Sequence, residues 1–146
     1  MDNTPMIEAR NLMKYFDTPH GKLHAVDDVS FTISKGTTMG VVGESGCGKS
    51  TLGRTMIHLL ESTGGQIFFN GEDITHVDKK KLHALREQMQ IIFQDPYSSL
   101  NPRMTVFETV QEPLIRSKRF SKAEIAERAE SIMTTVGLDE RLWNSY

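Results

Sequence analysis

The chain has 146 residues, and its 17 basic and 19 acidic side chains give a net charge of −2. About a quarter of the residues are Leu, Ile, Val or Phe, enough for a packed core. This charge argues against a generic nucleic-acid-binding protein. A single cysteine excludes an internal disulfide and favours a reducing compartment. Because no apolar run approaches the length of a membrane span and the N-terminus lacks a signal pattern, we expect a soluble protein that could dock on a membrane partner.

The first half of the chain predicts mostly strands. Four stretches have the patterning of strands or of hairpin arms: residues 7–12, 25–33, 38–42 and 67–74. The third of these leads into a glycine-rich loop, and residues 49–60 then predict a helix. Within the fourth, Asn70 and Gly71 suit a type I′ turn, because both tolerate positive φ angles.

The second half predicts mostly helices. Three residues are predicted N-caps: Asp78, Thr105 and Ser121. Each of the last two is followed three residues later by Glu, which completes a capping box. Pro113 should kink or end the second helix, and Gly137 should end the third. Residues 89–93 predict a short buried strand, and residues 94–102 predict a loop. This alternation favours an α/β core with an antiparallel portion near the N-terminus.

A phosphate-binding loop is predicted between the strand at 38–42 and the following helix. The pattern G-x-x-x-x-G-K-[ST] is matched at every fixed position, and the loop with the next residue comprises Gly43, Glu44, Ser45, Gly46, Cys47, Gly48, Lys49, Ser50 and Thr51. Glycines let backbone N–H groups converge on phosphate oxygens, and the helix N-terminus adds partial positive charge. Lys49 can place its ammonium on the β- and γ-phosphates, and the Ser50 hydroxyl can bind Mg²⁺. The alternative is a glycine-rich turn without a ligand.

Cys47 lies inside this loop and has two interpretations. It is either a small space-filling residue or a reactive thiol near a helix N-terminus. On the second interpretation, alkylation of Cys47 blocks nucleotide binding and bound ATP protects the thiol.

The segment after the loop is long and unusual: Gln90-Ile-Ile-Phe93-Gln94-Asp-Pro-Tyr97-Ser-Ser-Leu100-Asn101-Pro102-Arg103-Met104-Thr105-Val106. With the phosphate loop and the strings Asn11-Leu-Met-Lys-Tyr15-Phe16 and Val26-Asp-Asp-Val-Ser-Phe31, it resembles the ATP-binding subunits of ABC transporters, specifically the oligopeptide/dipeptide branch. The resemblance covers nearly all of the chain. It implies an α/β P-loop NTPase fold, the ABC nucleotide-binding domain. This chain would supply its N-terminal antiparallel β portion, an incomplete RecA-like core and the start of the helical subdomain.

The same resemblance implies further site residues for ATP and Mg²⁺. Tyr15 resembles the A-loop aromatic that stacks on adenine, although neighbouring Phe16 is an alternative. Val26 resembles the aliphatic residue near the base or sugar, with a plain core valine as the alternative. Gln94 resembles the Q-loop glutamine, whose amide oxygen reaches Mg²⁺ and the attacking water. Gln94 and Lys49 are therefore the catalytic candidates.

The resemblance also implies partners. The stretch that starts at Tyr97 and ends at Pro113 resembles the surface that docks on the transmembrane permease subunits. A second ATP-binding subunit would complete a dimer, and the chain would lie peripherally on the cytoplasmic face of a bacterial inner membrane. Neither nucleic acid nor direct contact with the cargo is expected.

Three family motifs have no match in residues 1–146: the signature motif, the Walker B strand and the switch histidine. The A-loop, Walker A and Q-loop motifs do have matches, so the chain is interpreted as a partial ABC ATP-binding domain. Strands at 38–42 and 89–93 are then expected to have unpaired edges. The predicted function is ATP binding and, in the complete protein, ATP hydrolysis that energises peptide import. Whether this chain alone is an ATPase is uncertain, and without the Walker B and signature motifs it is not expected to be competent. The alternatives are a catalytically inactive nucleotide-binding fragment, another cargo such as nickel or glutathione, and a non-transport ABC protein.

Overall fold

An antiparallel sheet lies near the N-terminus of the computed structural model, which describes residues 4–95 and 99–146. Its strands, in the spatial order β2-β1-β3-β4, are β1 Ile7–Thr18, β2 Gly21–Ile33, β3 Gly64–Phe69 and β4 Glu72–Asp73. Each neighbouring pair is antiparallel. The predicted antiparallel portion is therefore confirmed, and the first two strands are longer than predicted. The chain forms two compact units, Met1–Gln90 and Ile91–Tyr146, which are described separately below.

The two long strands form a hairpin with an irregular register. Residue 15 pairs with residue 24 and residue 14 with residue 26, so the ladder shifts between Lys14 and Tyr15. Bulges of this kind re-aim side chains. Along β2, Val29, Phe31 and Ile33 are half-buried and alternate with exposed residues, as the sequence pattern predicts.

The β3–β4 hairpin has the predicted turn. Asn70 and Gly71 have φ angles of 50° and 79°, and Phe69 pairs with Glu72 across the turn. Both central residues of a type I′ turn need positive φ, so the Asn-Gly pair accounts for this geometry.

Two helices complete the first unit: α1 Lys49–Met56 and α2 Lys79–Arg86. The Asp78 carboxylate caps α2 by accepting a hydrogen bond of 2.7 Å from the Lys81 amide. The core of the unit consists of buried side chains from the sheet, both helices and the segment after β4: Ala9, Leu12, Met56, Ile67, Ile74 and Leu85.

The first helix is shorter than predicted. It ends at Met56 rather than at residue 60, because His58 adopts a left-handed backbone conformation with φ 55°. The His58 amide donates to the Thr55 carbonyl at 3.1 Å, a bond from residue i to residue i−3. Leu59 and Leu60, which the prediction included in the helix, therefore lie beyond its end.

Two predicted strands are absent. Neither residues 38–42 nor residues 89–93 pair with a strand among the described residues. A strand needs a neighbour that satisfies its backbone N–H and C=O groups, and these ranges meet none in residues 4–95 and 99–146. The expected lack of pairing is observed in the described part of the chain, and Val42 and Ile92 are 93 % and 98 % exposed. The interpretation of 89–93 as buried is therefore wrong for this structure.

The second unit contains α3 Val106–Ser117, α4 Lys122–Thr135 and a short 3-10 helix, Glu140–Leu142. Both predicted capping boxes are present, at Thr105 and at Ser121. Pro113 lies inside α3 and does not end it. Gly137, with φ 74°, follows α4 as predicted. No helix within the two described ranges combines the length and apolar character needed to cross a membrane.

Candidate functional site

The predicted phosphate loop leads directly into α1. Gly48 is the N-cap residue, has φ 94° and supplies no side-chain hydrogen bond to the first turn. No acidic side chain lies in that first turn either. The N-terminal N–H groups of α1 are thus not capped from the N-cap side chain, which is the arrangement that favours an anion at a helix N-terminus.

Lys49 holds the loop together. Its ammonium Nζ donates to the Gly43 carbonyl at 2.7 Å and to the Glu44 carbonyl, and lies 3.5 Å from the Cys47 Sγ. The Glu44 carbonyl also accepts a bond of 3.4 Å from the Cys47 amide. The loop's own backbone carbonyls therefore hold the lysine charge next to the loop.

Gly48 rests against β2. A Cβ added at Gly48 would lie 2.0 Å from the Ala25 carbonyl oxygen, far inside any allowed contact. Only glycine combines the absence of a Cβ with easy access to positive φ. The second fixed glycine of the pattern is thus required by both the backbone conformation and the sheet beneath it.

The remaining loop residues are accessible. Glu44, Ser45, Gly46 and Ser50 are exposed, and Thr51 is half-buried. The Thr51 carbonyl accepts a bond of 2.8 Å from the Thr55 hydroxyl inside the helix. The Ser50 hydroxyl is an exposed oxygen beside the cationic loop, and hydroxyl oxygen is a donor type that suits Mg²⁺. These residues therefore fit the predicted phosphate and metal ligands.

Cys47 is exposed and lies beside the Lys49 ammonium. A Cβ at Gly43 would lie 2.7 Å from its Sγ. The thiol therefore occupies space within the loop and is also accessible, so both interpretations of Cys47 stay open.

Tyr15 belongs to a three-residue cluster. Its ring stacks on His24 with centroids 3.9 Å apart and planes 15° from parallel. Its hydroxyl donates to the Asp27 Oδ1, and the Asp27 Oδ2 lies 3.3 Å from the His24 Nδ1. The hydrogen bond from Tyr15 and the contact with His24 hold the pKa of the Asp27 carboxyl below its usual range. That same bond to Asp27 raises the pKa of the Tyr15 hydroxyl.

Phe16 and Val26, the other candidates near the base, have different surroundings. The Lys14 ammonium lies 4.9 Å from the centroid of the Phe16 ring. Val26 is only 5 % exposed, so little of its side chain could contact a ligand. The burial favours the alternative of a core valine, and contact of Val26 with a nucleotide stays a prediction.

Gln94 lies in the second unit, on exposed backbone that is neither helix nor strand. The predicted docking stretch starts at Tyr97, which lies outside the described residues together with Pro96 and Ser98. The rest of that stretch includes α3 up to Pro113. The roles of Gln94 and of this stretch stay predictions.

Sequence reasoning missed three residues that shape this region: His24, Ala25 and Asp27. No motif marks the Ala25 carbonyl as the support of Gly48. For His24 and Asp27, no signal in the sequence indicated that they meet, because the two-residue gap between them would place them on opposite faces of a regular strand. The register shifts of the hairpin allow both to reach Tyr15.

Comparison with known proteins identifies the family of this chain. The family model described as ABC transporter matches residues 26–145. The chain belongs to the ABC transporter family. The ABC chain is 48 % identical over 143 residues to the oligopeptide transport ATP-binding protein OppF of Bacillus subtilis, covering 97 % of this chain and 47 % of that protein. It is 39 % identical over 151 aligned residues to the dipeptide transport ATP-binding protein DppF of Haemophilus influenzae, covering 99 % and 46 %.

Solved ABC structures confirm the fold class. The dimeric structure of the bacterial ABC transporter cassette MJ0796 matches with a TM-score of 0.80 and 28 % identity, over 95 % of this chain and 60 % of that one. A second structure of MJ0796, in a post-hydrolysis state with ADP and Pi, matches equally well. The predicted partial P-loop NTPase fold and the resemblance to the oligopeptide/dipeptide branch are confirmed. The ABC chain spans about half the length of the curated relatives it matches.

Proposed function

We propose that this ABC chain binds ATP through the loop from Gly43 to Thr51. We also propose that the complete protein hydrolyses ATP to energise peptide import across a cytoplasmic membrane. The observation that carries the proposal is the placement of the Lys49 ammonium, which the Gly43 and Glu44 carbonyls hold at the uncapped N-terminus of α1. A cation and unpaired N–H groups at one point are what a triphosphate needs.

Binding would redistribute the bonds of Lys49. The ammonium has three donors, two of which the loop carbonyls use, and phosphate oxygens are stronger acceptors than neutral carbonyls. Backbone N–H groups around Gly46 and Gly48 would take further oxygens. Ser50 would hold Mg²⁺, which neutralises charge on the β- and γ-phosphates when bound, and Gln94 would take the role that the family pattern gives it.

The wider assignment follows the relatives. Several matched proteins are named as peptide transport or peptide import ATP-binding proteins, which favours transport over a non-transport role. We propose a second ATP-binding subunit as partner, since the matched cassette MJ0796 is dimeric. Permease subunits would dock between Tyr97 and Pro113, which would place the protein peripherally at the cytoplasmic face of the membrane. Nickel and glutathione remain the alternative cargoes.

Lys49→Ala tests nucleotide binding directly. A lost charged hydrogen bond costs about 1.5–3 kcal/mol, so we expect Kd for Mg-ATP to rise by roughly 10- to 100-fold in titration calorimetry. Lys79→Ala, a lysine at the start of α2, is the control and should bind as the unchanged chain does. Equal affinity of the Lys49 variant and the unchanged chain would refute the proposal.

A second candidate function is ATP binding without turnover by these 146 residues. The Asp-Glu pair of the sequence, Asp139 and Glu140, opens a 3-10 helix, and the Asp139 carboxylate accepts bonds from Arg141. This Asp-Glu pair therefore lacks the apolar strand that precedes the pair in a Walker B motif. A general base contributes about 10²–10⁴-fold in rate, so phosphate release by this chain should be that much slower than by the complete protein with its membrane partners. Comparable rates would refute this candidate.

A further inference from the structure

The cluster around Tyr15 has a closed arrangement. Tyr15 contacts His24 through its ring and Asp27 through its hydroxyl, and Asp27 also contacts His24. Each member therefore touches the other two. Both acceptor oxygens of the carboxylate are used, one for each ring.

The backbone supports the same arrangement. Tyr15 and His24 are paired residues on β1 and β2, so the strand ladder brings their rings together. The Tyr15 amide donates to the Thr63 hydroxyl at 3.0 Å, which fixes the bulged backbone from the other side. The ring position is thus determined by both strands and by a hydroxyl outside the hairpin.

His24 covers one face of the Tyr15 ring. At a centroid distance of 3.9 Å there is no room for a third ring between the two. A planar ligand can therefore stack only on the opposite face of Tyr15. The His24 and Asp27 side chains are themselves 50 % and 54 % exposed, so they are not part of the buried core.

We propose that His24 and Asp27 are positioning residues that fix the Tyr15 ring for a purine base, which stacks on the ring face away from His24. This inference rests on the proposed ATP binding. It adds that the base-dependent part of the affinity requires a prearranged aromatic surface. Immobilising a free side chain upon binding opposes affinity, and His24 and Asp27 remove that penalty beforehand.

The test compares ATP with inorganic triphosphate, both with Mg²⁺, in titration calorimetry on the full chain. Triphosphate probes the phosphate loop alone, while ATP adds the base. For His24→Ala we expect Kd for ATP to rise by about 2- to 12-fold and Kd for triphosphate to stay unchanged. His24→Phe keeps a stacking ring and should retain ATP affinity. His20→Ala, an exposed histidine in the turn of the same hairpin, is the matched control.

A double-mutant cycle isolates the positioning role. When Tyr15 is replaced by Leu, His24→Ala should have no further effect on ATP affinity, because the surface it supports is gone. Asp27→Ala should resemble His24→Ala, since the carboxylate holds both rings.

Several results would overturn the inference. These are unchanged or tighter ATP binding by the His24→Ala variant, a parallel loss for triphosphate, or failure of the Phe variant to restore binding. If the unchanged chain bound neither ATP nor triphosphate, the proposed function itself would fail, which is a distinguishable outcome.

Discussion

Replacing Gly48 by alanine tests whether the phosphate loop depends on its contact with the sheet. The new Cβ would lie 2.0 Å from the Ala25 oxygen and 3.1 Å from the Ala25 carbonyl carbon, at a backbone φ of 94°. Left-handed backbone costs a non-glycine residue about 1–2 kcal/mol. Relief of an overpacked contact adds about 1–3 kcal/mol. We therefore expect a loss of about 2–5 kcal/mol from the free energy of unfolding.

Two other glycines separate these contributions. Gly46 has φ 81° and open space around its Cβ position, so its alanine variant carries the backbone cost alone. Gly53 lies inside α1, and no neighbouring atom lies within 4 Å of a Cβ added there. Gly53→Ala should stabilise the chain by about 0.5–1 kcal/mol, because alanine favours helix over glycine.

The assay is urea unfolding followed by circular dichroism, together with Mg-ATP calorimetry on each variant. The stability order should be Gly53→Ala, the unchanged chain, Gly46→Ala and then Gly48→Ala. Displacement of the loop should also weaken ATP binding by the Gly48 variant at least about tenfold, the loss of one charged hydrogen bond. If the Gly46 and Gly48 variants were equally stable, the contact with Ala25 would not carry the cost assigned to it.

Two further predictions concern parts of the chain away from the loop. Thr105→Ala removes the hydroxyl that accepts from the Glu108 amide at 3.2 Å, so the second unit should lose about 0.5–2 kcal/mol by urea unfolding. Thr105→Ser keeps the cap and serves as control; equal losses in both variants would contradict a capping role. Burial lowers the pKa of the His58 imidazole. Just below pH 6.5 the unfolded chain therefore binds more protons than the folded chain does. Stability should therefore fall as pH drops through that value. The His58→Gln variant should show a smaller difference between its urea-unfolding midpoints at pH 7.5 and pH 5.5. If the variant showed the same midpoint difference as the unchanged chain, His58 would not be the source of the pH dependence.

The sequence predicted best those features that depend on a few neighbouring residues. The Asn70-Gly71 turn and the caps at Asp78, Thr105 and Ser121 are local chemistry, and the structure contains each of them. The phosphate loop is equally local, since its pattern specifies both the glycines and the lysine.

Features that depend on distant partners were predicted less well. An apolar run at 38–42 or 89–93 has the composition of a strand, but composition does not reveal whether a neighbour is present to pair with it. The apolar periodicity of 49–60 continues past Met56, while the left-handed backbone at His58 ends the helix. Contacts between separate segments, such as Ala25 with Gly48, leave no pattern in either segment alone.

One short segment of β2 contacts two separate parts of the candidate site. His24 and Asp27 reach the tyrosine ring, while the carbonyl of Ala25 lies beneath Gly48. Adjacent strand residues are about 3.3 Å apart, so the covalent backbone of β2 fixes the distance between the residues that hold the Tyr15 ring and the carbonyl that supports Gly48. In the proposed ATP complex, this segment would therefore support both the base and the phosphates. Deleting one residue from the turn before Gly21 would shift β2 along β1. His24 and Asp27 would then lose their alignment with Tyr15, and Ala25 its alignment with Gly48.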